Sequence, residues 1–217
     1  MQPPTVYVVD DDAEVLRAIG RLLESAGMVA VAFQSPRAFL DSYDDRAPAC
    51  LVLDLAMPEL TGVELQQALA ERGELLPIVF LTGRGDIRTC ADAMKNGAVD
   101  FLTKPVAEAD LLAAVSRALM KGGMLRQQRA ARAQIESALA LLTTRECQVL
   151  AQIVAGRLNK QIAADLGTVE KTIKFHRGNL MRKLGVRSIA DLVRLAERAG
   201  VPPPGASQRE TGTAGST

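Results

Sequence analysis

The sequence predicts two domains of different class, an α/β layered unit followed by an all-helical one. Three observations carry this reading. A length of 217 residues is long for one compact core and about right for two. Short β-branched runs alternate with helical patterns in the first half, and the second half is helical in period throughout. The charge also divides. The net +1 is a cancellation of roughly −7 up to Gly123 against roughly +8 from Met124 to Gly200. An acidic front half does not bind a polyanion unaided, whereas a basic back half has the electrostatic footprint expected for nucleic acid.

In the first half, Thr5 to Val9, Val29 to Phe33, Cys50 to Leu53, Ile78 to Leu81 and Asp100 to Thr103 read as strands. Each is a short run without polar alternation, as expected when helices cover both faces of a parallel sheet. Amphipathic stretches lie between and after them, near Val15 to Ser25, Pro36 to Tyr43, Val63 to Arg72, Ile87 to Asn96 and Glu108 to Met120. Ser35 and Pro36 suit the N-cap and first position of the second helix, and Gly27 and Gly97 suit helix C-termini. Strict alternation of β and α implies a doubly wound sheet.

Gly122-Gly123 is expected to break this pattern, and Met124 to Leu141 then reads as a helical linker. Breaks at Gly156, Gly167 and Gly185 divide the following segment into four short helices. The expected boundaries are residues 1–121 for the α/β domain, 122–141 for the linker, 142–200 for the helical domain and 201–217 for a disordered tail rich in Pro, Gly, Ser and Thr.

Aromatics make up 3% of the chain and Trp is absent, so both cores must be built from Leu, Val, Ile and Ala. Cys50, Cys90 and Cys147 are far apart and lack ligand spacing, which argues against a disulfide framework or a zinc site and for buried, reduced thiols. There is no basic region followed by an apolar run at the N-terminus and no long uninterrupted apolar stretch. The expectation is a soluble cytoplasmic protein with no membrane partner.

In a doubly wound sheet, chemistry sits outside the carboxyl ends of the strands. Those ends carry Asp10 and Asp11, then Asp54, then Thr82, then Lys104. Carboxylates crowded together repel unless a cation neutralises them, and oxygen-only ligands point to Mg²⁺ rather than zinc. Asp54 would then attack a phosphoryl group whose charge is shared by the metal, Lys104 and the Thr82 hydroxyl. Taken alone, Asp10 to Asp12 read more readily as an ordinary acidic helix N-cap, favoured by the dipole. An enzyme of the haloacid dehalogenase type, in which Asp10 and Asp12 form a D-x-D pair, satisfies the spacing, but the acid and Thr it requires follow poorly and the basic helical second half is left unexplained.

VYVVDDD at 6–12, LVLDLAMPELTG at 51–62, FLTG at 80–83 and DFLTKP at 100–105 resemble the receiver domain of two-component response regulators. The resemblance implies a flavodoxin-like (βα)5 fold with Asp54 as phosphoacceptor. It implies Asp10 and Asp11 as metal ligands beside Asp54 and the backbone carbonyl of Ala56, with Lys104 and Thr82 as phosphoryl contacts. It further implies Phe101 as the aromatic switch residue working with Thr82, and a cis Lys104-Pro105 peptide.

In the second domain, LTTREC at 142–147, GRLNKQIAADLG at 156–167 and KTIKFHRGNLMRKLGVRS at 171–188 place a turn at Gly167 to Val169 between two helices. That is a helix-turn-helix with Glu170 to Leu184 as recognition helix. Ile173, Leu180, Met181 and Leu184 form its buried stripe. Lys171, Thr172, Lys174, His176, Arg177 and Asn179 are the candidate DNA contacts, with basic heads for phosphates and Lys, Arg or Asn for base edges. The segment from Leu142 to Ala196 resembles the LuxR/FixJ type of four-helix DNA-binding domain. The resemblance implies that Thr144 caps the first helix of this domain, that Glu146 joins an ion pair, and that Ile189 to Arg198 supplies a dimer contact. Val169 stands where that family carries a Ser or Thr cap.

Together the two resemblances imply a transcription regulator switched by phosphorylation, and not an enzyme beyond accepting and slowly losing its phosphoryl group. The implied partners are a sensor histidine kinase, double-stranded promoter DNA, a second copy of the chain when phosphorylated or DNA-bound, and RNA polymerase if it activates.

Overall fold

A computed structural model describes residues 3–43, 48–83 and 87–201, with residues 87–90 described by backbone alone. The chain folds as two compact units, 1–127 and 128–217. The expected tail from Pro202 onwards, and the expected burial of Cys90, lie outside the described residues.

In the first unit, five parallel strands, β1 (Thr5–Val9), β2 (Val29–Phe33), β3 (Ala49–Asp54), β4 (Ile78–Thr82) and β5 (Asp100–Thr103), lie in the order β2-β1-β3-β4-β5. This is the flavodoxin-like arrangement, with strand order reversing between β1 and β3. All of β3 is buried, and its side chains alternate between two cores. Cys50 and Val52 join Leu16, Ile19 and Leu23 of α1 (Ala13–Ser25) and Leu111, Ala114, Val115 and Ala118 of α5 (Glu108–Ala140). Leu51 and Leu53 face Phe39 of α2 (Pro36–Ser42), Leu65 and Leu69 of α3 (Gly62–Glu71) and Ala93 of α4 (Ile87–Lys95). Burial weakens at both edges, where neither β2 nor β5 has a buried residue and Val29 of β2 and Thr103 of β5 are exposed.

Helix ends follow the local signals with two differences. Gly27 and Gly97 take positive φ just beyond α1 and α4, and Ser35 precedes Pro36 at the start of α2 without a side-chain cap bond. Gly122-Gly123 does not interrupt the helix, because α5 runs through it to Ala140. The reason is tertiary: Gly122 is buried, and a Cβ there would stand 2.9 Å from the Ala49 carbonyl oxygen and 3.3 Å from Pro77. The glycine lets α5 approach the start of β3.

The second unit holds α6 (Thr144–Val154), α7 (Asn159–Asp165), α8 (Glu170–Lys183) and α9 (Ile189–Arg198). Their core is Val149, Leu150, Ile153, Ile162, Ala163, Ile173, Leu180, Leu184, Leu192 and Ala196. Gly156, Gly167 and Gly185 all have positive φ at the breaks between helices. The cap of α6 is Thr143 rather than Thr144. The Thr143 hydroxyl accepts from the Glu146 amide, and the Glu146 carboxylate accepts from the Thr143 amide at 2.8 Å. The T-x-x-E spacing required Thr143, since Thr144 has Cys147 at its third position. Cys147 is exposed, against the expectation of burial, whereas burial pushes the Cys50 thiol up to about 12.

Candidate functional site

Parallel register brings the first site together. Val9 pairs with Leu53 and Asp54 with Leu81, so Asp10 and Asp54 leave neighbouring strands at one level. Thr82 pairs with Thr103, which carries Lys104 to the same edge. There the Lys104 ammonium lies 2.6 Å from Asp10 Oδ2 and 2.6 Å from Asp54 Oδ1. The remaining oxygens are held by backbone. Asp10 Oδ1 accepts from the Asp12 amide at 3.0 Å, and Asp54 Oδ2 accepts from the Ala56 amide at 2.9 Å. The Lys104 amide donates to the Thr82 carbonyl at 2.6 Å, and the Lys104-Pro105 peptide is cis.

Asp10 is fully buried, and Asp54 and Thr82 are 4% exposed. Burial raises the Asp10 carboxyl above its ordinary pKa, with the bond from Lys104 pulling the other way. Burial alone would lower the Lys104 ammonium, but its bonds to Asp10 and Asp54 outweigh that and leave it raised. Two carboxylates sharing one ammonium leave an excess of negative charge and a set of oxygen donors, which fits Mg²⁺. Asp11 is exposed, and among the described residues no three acidic, histidine or cysteine side chains converge on one point. The cation that joins Asp10 to Asp54 is Lys104. Asp12 is separate from this pair: its side chain accepts from the Glu14 amide at 2.7 Å and caps α1. The D-x-D reading therefore loses its second acid, and the helix-cap reading holds for Asp12. Phe101 is half-buried and lies 6.3 Å from the Phe80 ring.

One residue of this site is visible only in three dimensions. A Cβ at Gly62, the first residue of α3, would lie 2.4 Å from the Asp54 carbonyl oxygen. Thr61 and Glu64 form a capping box at that end of α3, so a tight turn returns the chain onto the end of β3. The capping signal T-x-x-E is present in the sequence, but the collision is not.

In the second unit, α7 and α8 form the helix-turn-helix, and Val169 caps α8 without a side-chain bond. Lys171 and Lys174 are exposed, and Lys174 pairs with Glu170 at 3.3 Å. Thr172, His176, Arg177 and Asn179 are partly covered. Arg177 bonds to Asn159 of α7, and Asn179 accepts from Arg182 at 2.8 Å. Two residues that the sequence reading passed over fix this geometry. Arg145 donates to the Leu166 carbonyl at 2.6 Å, which ties α6 to the end of α7, and Asn159 holds Arg177. Glu146 joins an ion pair with Lys183 at 2.7 Å, as expected. That bond and the Thr143 amide lower the Glu146 carboxyl to about 2.

A five-stranded α/β unit with an acid-lysine cluster at its strand ends, followed by a helix-turn-helix, defines a class, and comparison with known proteins agrees. The family model described as "Response regulator receiver domain" matches residues 6–116, and that described as "Bacterial regulatory proteins, luxR family" matches residues 140–196. The chain belongs to the response regulators that join a receiver domain to a LuxR-type DNA-binding domain, and it is a transcription regulator. It is 43% identical over 197 residues to response regulator protein TmoT of Ectopseudomonas mendocina, covering 91% of this chain and 90% of that one. It is 40% identical to the transcriptional regulatory protein FixJ of Azorhizobium caulinodans, covering 91% and 94%. The solved structure of response regulator StyR matches with a TM-score of 0.80 at 45% identity, covering 91% of this chain and all of that one.

Proposed function

We propose that Asp54 accepts a phosphoryl group from a sensor histidine kinase, and that this controls dimerisation and promoter binding. The observation that carries the reading is the bridge from Lys104 to both Asp10 and Asp54 at 2.6 Å. It supplies a carboxylate nucleophile and an ammonium placed to meet the phosphoryl oxygens. In the transfer, a carboxylate oxygen of Asp54 forms the new bond to phosphorus as the bond to the donor histidine nitrogen breaks and that nitrogen keeps the electron pair. The Ala56 amide holds the Asp54 carboxylate in orientation, and Lys104 turns from Asp54 to the transferred group. Asp10, Asp11, Asp54 and the Ala56 carbonyl would hold Mg²⁺, which supplies charge neutralisation on the phosphoryl oxygens when bound.

An apolar cavity of about 600 Å³ lies beside the site, lined by Val15, Ile19, Leu22, Val106, Leu111 and Lys104. Its shared Lys104 puts an apolar surface within reach of a protein that brings a phosphohistidine to Asp54. After transfer, Thr82 moves towards the new charge and Phe101 follows, altering the face of α4, β5 and α5 that a second copy meets. In the second unit, Lys171, Thr172, Lys174, His176, Arg177 and Asn179 contact double-stranded DNA, and α9 supplies a further dimer contact. Contact with RNA polymerase follows if the protein activates.

The test is incubation of the full chain with Mg²⁺ and acetyl phosphate. Stable incorporation into the wild type, abolished in Asp54→Asn, is expected, together with tighter binding of the phosphorylated chain to a palindromic site. Continuous release of inorganic phosphate without a phosphorylated protein would overturn the reading.

A further inference from the structure

The chain has five phenylalanines. Phe33, Phe39, Phe80 and Phe101 belong to the sheet-packed core of the first unit, whereas Phe175 is 65% exposed in the middle of α8. A lone exposed apolar side chain is ordinary. Its placement here is not. At about 100° per residue, Ile173, Leu180 and Leu184 fall on one side of α8, and Phe175 falls almost opposite them. Its neighbours on that outer face, three, four or seven residues away, are Lys171, Thr172, Gly178, Asn179 and Arg182, with Lys174 beside it; Thr172 and Asn179 are half-buried and the others exposed. The ring meets His176 edge-on at 5.9 Å and packs in none of the three cores.

Gly178 is the independent observation. It sits inside a helix, its φ is not positive, and a Cβ there would meet nothing within 4 Å. Nothing in the fold asks for glycine at that position, where it is a poorer helix former than alanine. A glycine that the protein's own packing does not need leaves room for another molecule. The basic ring of Lys171, Lys174 and Arg182 around it selects a polyanion and opposes a second copy of the same face.

We infer that Phe175 reads sequence by packing its ring against a thymine methyl in the major groove, with Gly178 giving the base-pair edge room to approach. This rests on the DNA-binding reading of α8 and adds to it an apolar, base-specific contact among charged ones. The chemistry suits the site, because the thymine methyl is the one apolar group that the major groove displays and phenylalanine is among its partners.

The test uses the full chain with and without acetyl phosphate. Binding sequences are selected from random DNA, and each thymine of the selected site is then replaced singly by uracil, which removes only the methyl. Wild type should lose about fourfold in affinity at one thymine per half-site, the worth of one buried methyl. Phe175→Ala should lose at least as much on the thymine site, show no further loss with uracil, and keep the salt dependence of wild type. Gly178→Ala should melt higher yet bind the site more weakly, opposite signs that a purely structural role does not produce. If Phe175→Ala selects the same sequence with the same affinity, or weakens all DNA equally, the inference fails while the DNA-binding reading stands. If wild type selects no sequence at all, both fail.

Discussion

The two sites of this protein are built in opposite ways. The receiver site gathers Asp10, Asp54 and Lys104 from the ends of three different strands, with Lys104 94 positions after Asp10, and buries both carboxylates while Lys104 stays half-buried. The proposed DNA-reading surface is one face of α8, in which every residue lies within a few positions of the next and stays at least partly exposed. A long-range buried site couples chemistry to stability, because each charged group is the neutralising partner of another. A local exposed site is free of that coupling, and its side chains can change without unfolding anything.

That contrast can be broken by substitution, starting where the effect should be largest. Asp54→Asn should lose phosphoryl incorporation outright. Lys104→Ala leaves the Asp10 and Asp54 carboxylates facing each other without a cation, so the first unit should lose about 3 kcal/mol in urea unfolding. Added Mg²⁺ should recover part of that loss, and should do so more in the variant than in wild type. Equal stability of variant and wild type without Mg²⁺ would mean that the site is not coupled to folding.

Gly62→Ala drives a methyl to within 2.4 Å of the Asp54 carbonyl, so the turn after β3 must shift. A cost of about 2 kcal/mol, with slower phosphorylation by acetyl phosphate, is expected. Glu146→Gln tests the buried charge of the second unit, where loss of the charged bond to Lys183 should cost about 1–2 kcal/mol at pH 7. Glu146 has its pKa lowered from 4.5 to about 2, so its carboxylate stabilises the fold above the unfolded value and loses that effect as pH falls through the folded one. Between pH 5 and pH 2 the wild-type unit should therefore lose more stability than the Gln variant. The smallest change belongs to the exposed face. Lys174→Ala should leave thermal unfolding unchanged and reduce the slope of log affinity against log salt by about 0.9 for one lost phosphate contact.

Legibility in the sequence followed the same division. The strands and helices were readable because their periods are local, and α8 and α9 lay where the glycine breaks put them. Thr143 was as readable as Thr144 was misleading, since the spacing to Glu146 decides between them. Gly122 was read as a break because a glycine pair within a helical run carries no mark of what packs against it. Phe175 carries no charge, and exposure of a ring on α8 is set by packing that the sequence does not display.

The sequence by itself determined the class of each domain, the order of the elements and the identity of the groups that end each strand. Those follow from period, turn chemistry and motif spacing, which act over a few residues. Only the tertiary structure decided that Lys104 is the cation between Asp10 and Asp54, that Asp12 serves a helix instead, and that Gly62 and Gly122 are contact points. Parallel register and close packing join residues tens of positions apart, and the distances they impose exist nowhere along the chain.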